Sequence, residues 1–209
     1  MSVLKIIEYG NPFLREQTKE VSKVSKKIKN LVNDMLETMY KANGVGLAAP
    51  QIGESLRIFV IDVSDPSGPI DPQVFINPKI IKKSGAINSY EGCLSFPKAY
   101  TNVRRYSYVM VKALDINGKP FVKEAFDGSL LSRAIQHEFD HLDGKLFIDH
   151  CRNRFEANNV LQKFNLPPIE EDRLIQEDEL EREIVEYEKA HPEVVEERMK
   201  QIKEADEND

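Results

Sequence analysis

Residues 129–145 read SLLSRAIQHEFDHLDGK. Apolar side chains recur at Leu130, Leu131, Ala134, Ile135 and Leu142, the spacing of an amphipathic helix, and Gly144 stands where such a helix would end. His137 and His141, four apart, project from one face of that helix about a turn apart, so two imidazoles can reach one ion. Glu138 follows the first histidine and would sit beside that ion. The apolar surroundings predict a largely buried helix, and buried polar side chains need partners. A catalytic divalent ion usually takes three protein ligands and keeps one position for water, so the helix alone is one ligand short.

Upstream, IKNLVNDMLETMYKANG places Ile28, Leu31, Val32, Met35, Leu36 and Met39 at helical spacing, with Asn43-Gly44 as its stop. The chain then enters GVGLAAPQIG, residues 44–53. Its glycines fit neither the phosphate-binding loop, since no Lys follows, nor the dinucleotide fingerprint; alone they read as a tight loop between helix and strand. RIFVIDV (57–63) reads as a buried strand bounded by the turn-forming SDPSGP. Strand-like runs follow at VFINPKII (74–81), YSYVMVKALDI (106–116) and PFVKEAF (120–126), with Asn117-Gly118 as a tight hairpin between the last two.

After Pro167-Pro168 the composition changes. Leu180, Ile184 and Tyr187 keep helical spacing, Pro192 interrupts, and Val195, Met199 and Ile202 resume it, which predicts two short charged helices fraying after about residue 203. Residues 170–209 hold 17 acidic and 6 basic side chains, a charge of −11, while residues 1–169 hold 18 and 23 and sum to +5. A tail so acidic repels phosphate and is not expected to bind nucleic acid directly; it is expected to fold back on the basic body.

The chain of 209 residues, 41% hydrophobic and 31% charged, has an ordinary globular composition and length for one catalytic-size domain plus an appendage. We place these at residues 1–168 and 169–209. No apolar run approaches the roughly 20 residues of a membrane-spanning helix, and the N-terminus lacks the pattern of a targeting peptide, so the cytoplasm is the expected location. Cys93 and Cys151 are too few for a disulfide framework.

For the third ligand His150, His191, Asp140 and Asp143 are candidates, and YEGCLSFP (90–97) offers the most attractive donor, Cys93. A thiolate binds zinc or ferrous iron strongly, and Gly92 permits close backbone approach. Taken alone, Cys93 would more often be a small buried hydrophobe, the reading kept for Cys151. His150 reads as a surface residue or local hydrogen-bond partner. A carboxylate beside a metal can accept a proton from water and hand it to a leaving amine, the role that fits Glu138. Negative charge developing on a carbonyl oxygen needs donors, which the backbone N–H of Leu94 and the side chain of Gln51 can supply. On the helix, Leu130, Arg133 and Ala134 share the face of His137; with Val45 and Gly46 from the glycine loop they would form a mainly apolar substrate pocket, the Arg133 stem at its mouth.

Three segments in series, Gly44-Val45-Gly46-Leu47-Ala48-Ala49-Pro50-Gln51, Glu91-Gly92-Cys93-Leu94-Ser95 and Gln136-His137-Glu138-Phe139-Asp140-His141, resemble the peptide deformylases in order and spacing, over about residues 3 to 165. The resemblance implies an α+β fold, with a metal-bearing central helix surrounded by antiparallel β-sheets, here carrying an extra charged helical C-terminal extension. It implies hydrolysis of the N-formyl group from the initiator methionine of nascent polypeptides, releasing formate. Cys93, His137 and His141 correspond to the metal ligands, Glu138 to the acid/base, and Gln51 and Leu94 N–H to the oxyanion donors. The usual metal is Fe²⁺, with Zn²⁺ or Ni²⁺ able to occupy the site. Nascent formyl-methionyl chains would be the partners, with transient ribosome association. Many family members carry an arginine where this chain has Tyr100, a charge expected to be lost or replaced by Arg104 or Arg105. A zincin-like endopeptidase would share the helix but takes a downstream third ligand, and no Glu follows His141 until Glu156. A non-catalytic metal-binding or ribosome-associated module is the second rival, supported by the long charged tail.

Overall fold

The computed structural model describes residues 2–170, 173–175 and 177–206. Helix α1 (Lys26–Lys41) opens on Ser25, whose hydroxyl accepts from Ile28 N–H at 3.4 Å. It closes through Asn43, not Gly44, in the left-handed conformation (φ 55°). Asn43 N–H reaches Tyr40 O at 3.0 Å and Gly44 N–H reaches Met39 O at 2.9 Å, which satisfies carbonyls the helix leaves open. Asparagine tolerates that conformation through its short polar side chain, so Gly44 answers a different need: a Cβ there would lie 2.7 Å from Leu94 Cδ1.

Strands β1 (Gly46–Ala48), β2 (Ile58–Ile61), β3 (Gln73–Cys93), β4 (Phe96–Leu114) and β5 (Pro120–Ala125) form, among the described residues, one antiparallel sheet in sequential order. Ile58 and Val60 of β2 pack with Ile28, Val32, Met35 and Met39 of α1. Phe59 and Ile61 point the other way, into a cluster with Ala134, Ile135 and Leu142 of the second helix, α2 (Leu130–Leu142). Successive strand residues face opposite sides, so a strand covered on both faces reads as the unbroken apolar run seen in RIFVIDV.

The β3–β4 hairpin extends far beyond the apolar runs that announce it. Residues 82–93 pair with residues up to Phe96 of β4, with register shifts after Ile76, Ile80 and Gly92. This stretch, KKSGAINSYEGC, alternates exposed and covered positions and owes its strand conformation to pairing with β4 rather than to its own propensity. The β4–β5 turn is the tight hairpin expected at Asn117-Gly118. Asp115 N–H bonds Lys119 O at 2.9 Å, leaving a three-residue loop with Gly118 left-handed (φ 76°).

Helix α2 begins at Ser129, whose hydroxyl accepts from Ser132 N–H at 3.2 Å, and ends at Gly144 (φ 68°). A Cβ on Gly144 would lie 2.3 Å from the backbone oxygen of Arg15. Arg15 in turn pairs both guanidinium arms with Asp149, at 2.5 and 2.9 Å, tying the N-terminal segment to the chain beyond α2. A further cluster gathers Phe96, Phe147 and Ile148 with Ala157 and Leu161 of α3 (Arg154–Lys163).

The tail forms α4 (Glu177–Ala190) and α5 (Pro192–Asp206), the second running past residue 203, where fraying was expected. Both pack on β3. Ile184 is buried in the same cluster as α2, and Tyr187 packs with Tyr108 and Met110. Among the described side chains of α5 the buried one is Val194 rather than Val195, while Met199 is exposed. The side chains of Leu180 and Ile202 lie outside the described residues. Lys82–Glu197 at 2.9 Å and Lys83–Glu183 at 3.0 Å join tail to body.

Candidate metal centre

Three elements deliver the polar side chains. Helix α2 presents His137 and His141 from one face, their rings 5.2 Å apart between centroids. The end of β3 presents Cys93, where the register shift after Gly92 turns the strand toward the helix. Its Sγ lies 3.3 Å from His141 Nε2. The donor atoms of Cys93, His137 and His141 all fall within 4.8 Å of one another. The other candidates sit elsewhere: Asp140 is in ion pairs, Asp143 pairs with Arg57 at 2.6 Å, and His191 stacks on Tyr187 at 4.2 Å. Of the two readings of His150 the structure takes the hydrogen-bond partner: it is largely buried, its Nε2 2.9 Å from Asp140.

Gln51 stands in a single 3-10 turn, Ala49–Ile52, after β1. Its Oε1 accepts from Ala48 N–H at 2.8 Å, which aims Nε2 at Cys93 Sγ (3.4 Å) and Ser95 Oγ (3.2 Å). Leu94 lies in the turn between Cys93 and Phe96 and lines the same cleft. The glycine loop owes its composition to close approach: a Cβ on Gly46 would sit 2.4 Å from Glu138 Oε1. Glu138 is buried, its Oε2 has no hydrogen-bond partner, and burial first, then Glu91 and Asp140, push its carboxyl up to about 7.

Behind the histidines runs a chain of charges that motif spacing left unread. Glu91 Oε2 lies 3.0 Å from His137 Nδ1, fixing the ring and leaving Nε2 as its remaining donor. Arg105, only 2% exposed, clamps Glu91 through two bonds of 3.0 and 2.9 Å and reaches Asp140 at 2.5 Å. Burial works against both carboxylates, but Arg105 with His137 holds Glu91, and His150 with Arg105 holds Asp140, far below the usual range. Burial also opposes the charge of His137, but Cys93 and Glu91 outweigh it and raise its pKa; burial and His137 lower that of His141. Two signals were available: Glu91 is two before Cys93 and so shares its strand face, and Asp140 is three after His137 on the helix.

The cleft measures ≈ 300 Å³. Val45, Gly46, Leu130, Arg133 and Ala134 all line it beside Cys93, His137 and Glu138. Tyr100 stacks on Tyr90 at its rim (centroids 5.9 Å apart), its ring lying over Gly92. Neither Arg104 nor Arg105 replaces a charge here: Arg105 is held by Glu91 and Asp140, and Arg104 bonds Asn88 at 3.0 Å and lines a different cavity. One thiolate and two imidazoles, brought together with an oriented second nitrogen on His137, fit a divalent transition ion.

Comparison with known proteins matches residues 3–156 to the family described as Polypeptide deformylase. Peptide deformylase 1 of Clostridium perfringens is 52% identical over 150 residues, 72% of this chain and 99% of that protein. The peptide deformylase of Endomicrobium trichonymphae is 51% identical over 150 residues, covering 72% of this chain and 87% of its own. Among solved structures, the Synechococcus elongatus peptide deformylase in complex with actinonin superposes with a TM-score of 0.74 at 39% identity, covering 83% of this chain and 90% of the other. That of Legionella pneumophila gives 0.71 at 43% identity, covering 78% and 96%.

Proposed function

The chain belongs to the peptide deformylase family, hydrolases that remove the N-formyl group from nascent polypeptides, and we propose that Cys93, His137 and His141 hold its metal as Fe²⁺ beside Glu138. The observation that carries this reading is the gathering of those three donors within 4.8 Å, next to a buried carboxyl with an unpartnered oxygen. A bound divalent ion supplies Lewis acidity toward water and the formyl carbonyl. The donor set suits Fe²⁺, Zn²⁺ or Ni²⁺; the preference for iron rests on the family.

The chain's own residues divide the remaining work. Glu138, poised near neutrality, takes a proton from the water that adds to the formyl carbon. It then returns that proton to the nitrogen as the C–N bond breaks, giving formate and a free methionine amine. Gln51 Nε2 and the N–H of Leu94 donate to the carbonyl oxygen as it gains charge. Val45, Leu130 and Ala134 receive the methionine side chain, and Gly46 keeps the approach to Glu138 open. Nascent formyl-methionyl chains emerge at the ribosome, so the enzyme works in the cytoplasm and meets the ribosome transiently. Among the described residues no helix is long and apolar enough to cross a membrane.

Anaerobic purification with metal analysis, followed by formate release from a formyl-Met peptide, tests the assignment. Iron at one equivalent and hydrolysis confined to the formyl amide are expected. Cleavage of internal peptide bonds, or formate release from protein stripped of metal, overturns it. Stripping and refilling with Fe²⁺, Zn²⁺ or Ni²⁺ separates the choice of ion from the choice of ligands.

A further inference from the structure

Arg133 stands one turn before His137 on α2 and lines the cleft that holds Cys93 and Glu138. A guanidinium carries five donors in a planar fork that matches a carboxylate. In this structure those donors are almost unmet. Nη1 reaches only Ser89 Oγ, at 3.4 Å, and Nε is buried with no partner. Among the described residues no carboxylate pairs with Arg133. Every other arginine close to the site is committed: Arg105 to Glu91 and Asp140, Arg57 to Asp143, and Arg15 to Asp149. The carboxylates of the cleft leave Arg133 alone too, since Glu91 is held by Arg105 and His137, and Glu138 lies against Gly46.

The exposed aromatic rim of the cleft offers no charge. Tyr90 and Tyr100, 65% and 54% exposed, stack on each other and line the same cleft. Among the described residues lining the cleft, Arg133, delivered by α2, is therefore the one unpaired guanidinium, and the exposed tyrosine pair of the same cleft is neutral. We propose that Arg133 is a specificity-determining residue that draws an acidic side chain, at the second or third position of the formylated peptide, toward the cleft. This rests on the deformylase reading. The partial desolvation of the guanidinium strengthens its attraction for a carboxylate and disfavours a lysine at the same position by like-charge repulsion. Such a contact is made before and during the reaction alike, so it acts mainly on KM.

The test uses full-length, metal-loaded enzyme and formyl-Met tripeptides with Glu, Ala or Lys at the second or the third position. Formate release gives kcat/KM for each, in the native protein, Arg133→Gln and Arg133→Lys. The expected native preference for Glu over Lys at one of the two positions is on the order of tenfold, shrinking as ionic strength rises. Arg133→Gln should bring that ratio close to one, and Arg133→Lys should keep part of it. A native ratio near one at both positions overturns the proposal, as does a ratio that Arg133→Gln leaves unchanged. The native salt dependence decides the matter even where a variant fails to fold. Absence of formate from every formyl peptide would instead overturn the deformylase reading.

Discussion

His137 is held from two sides, and the two sides make different predictions. Toward the cleft it is a proposed ligand. Cys93→Ala, His137→Ala and His141→Ala should each lose most bound metal, measured by elemental analysis, whereas Glu138→Ala should keep the metal and lose at least ~10²-fold in hydrolysis. Away from the cleft it leans on Glu91 and, through that, on Arg105. Arg105→Ala would leave Glu91 and Asp140 buried without their cation, a loss of about 3–5 kcal/mol that chemical denaturation should register. A variant as stable as the parent would show that water replaces the guanidinium. Of these residues, the histidine pair and Glu138 were legible as candidates because spacing on a helix is local information, whereas Cys93, at the end of β3, was singled out from several possible donors only by the chemistry of its thiol and the resemblance. Arg105 was not legible, because only the register of β3 on β4 brings it opposite Ile87, near Glu91, and no pattern in residues 96–105 announces a buried cation.

Helices α1 and α2 were readable from period and stop signals, and both close as those signals imply, α1 through Asn43 and α2 through Gly144. The two stops differ in what they tolerate. Gly144 combines a left-handed backbone with a carbonyl 2.3 Å from any Cβ, so Gly144→Ala should destabilise by more than about 1 kcal/mol and lower Tm, with the N-terminal segment displaced around Arg15. An unchanged Tm would mean that the Arg15 loop yields without cost. The strands were less readable. β2, covered on both faces, gives an apolar run, while the outer half of the β3–β4 hairpin is defined by its partner strand and carries polar side chains that favour no particular conformation.

The boundary expected at residue 168 makes the tail an appendage, and the buried positions of Ile169, Ile184 and Val194 argue that it is also a cover. Each buried aliphatic side chain contributes roughly 1.5–3 kcal/mol, so truncation after Leu166 should lower Tm clearly while leaving activity per bound metal in place, since every proposed site residue precedes residue 142. Activity lost with metal retained would make the tail part of the substrate site. Glu183 adds a pH dependence. Burial works against its charge, but Tyr106 OH and Lys83 outweigh that and lower its pKa. Its contribution is therefore full above the ordinary carboxylate range and is lost as pH falls through the lowered value, so the gap in Tm between full-length and truncated protein should narrow on acidification.

The placement of β2 between α1 and α2 has a consequence in time. Its amide hydrogens are bonded to strands on both sides and covered by side chains on both faces. With helices covering both faces, in deuterated water Phe59 and Val60 should exchange at the rate of global unfolding, while amides around the exposed Val122, in the edge strand β5 of the β4–β5 hairpin, exchange through local openings many times faster. Equal protection at the two places would mean that the hairpin and the sandwiched strand open as one cooperative unit.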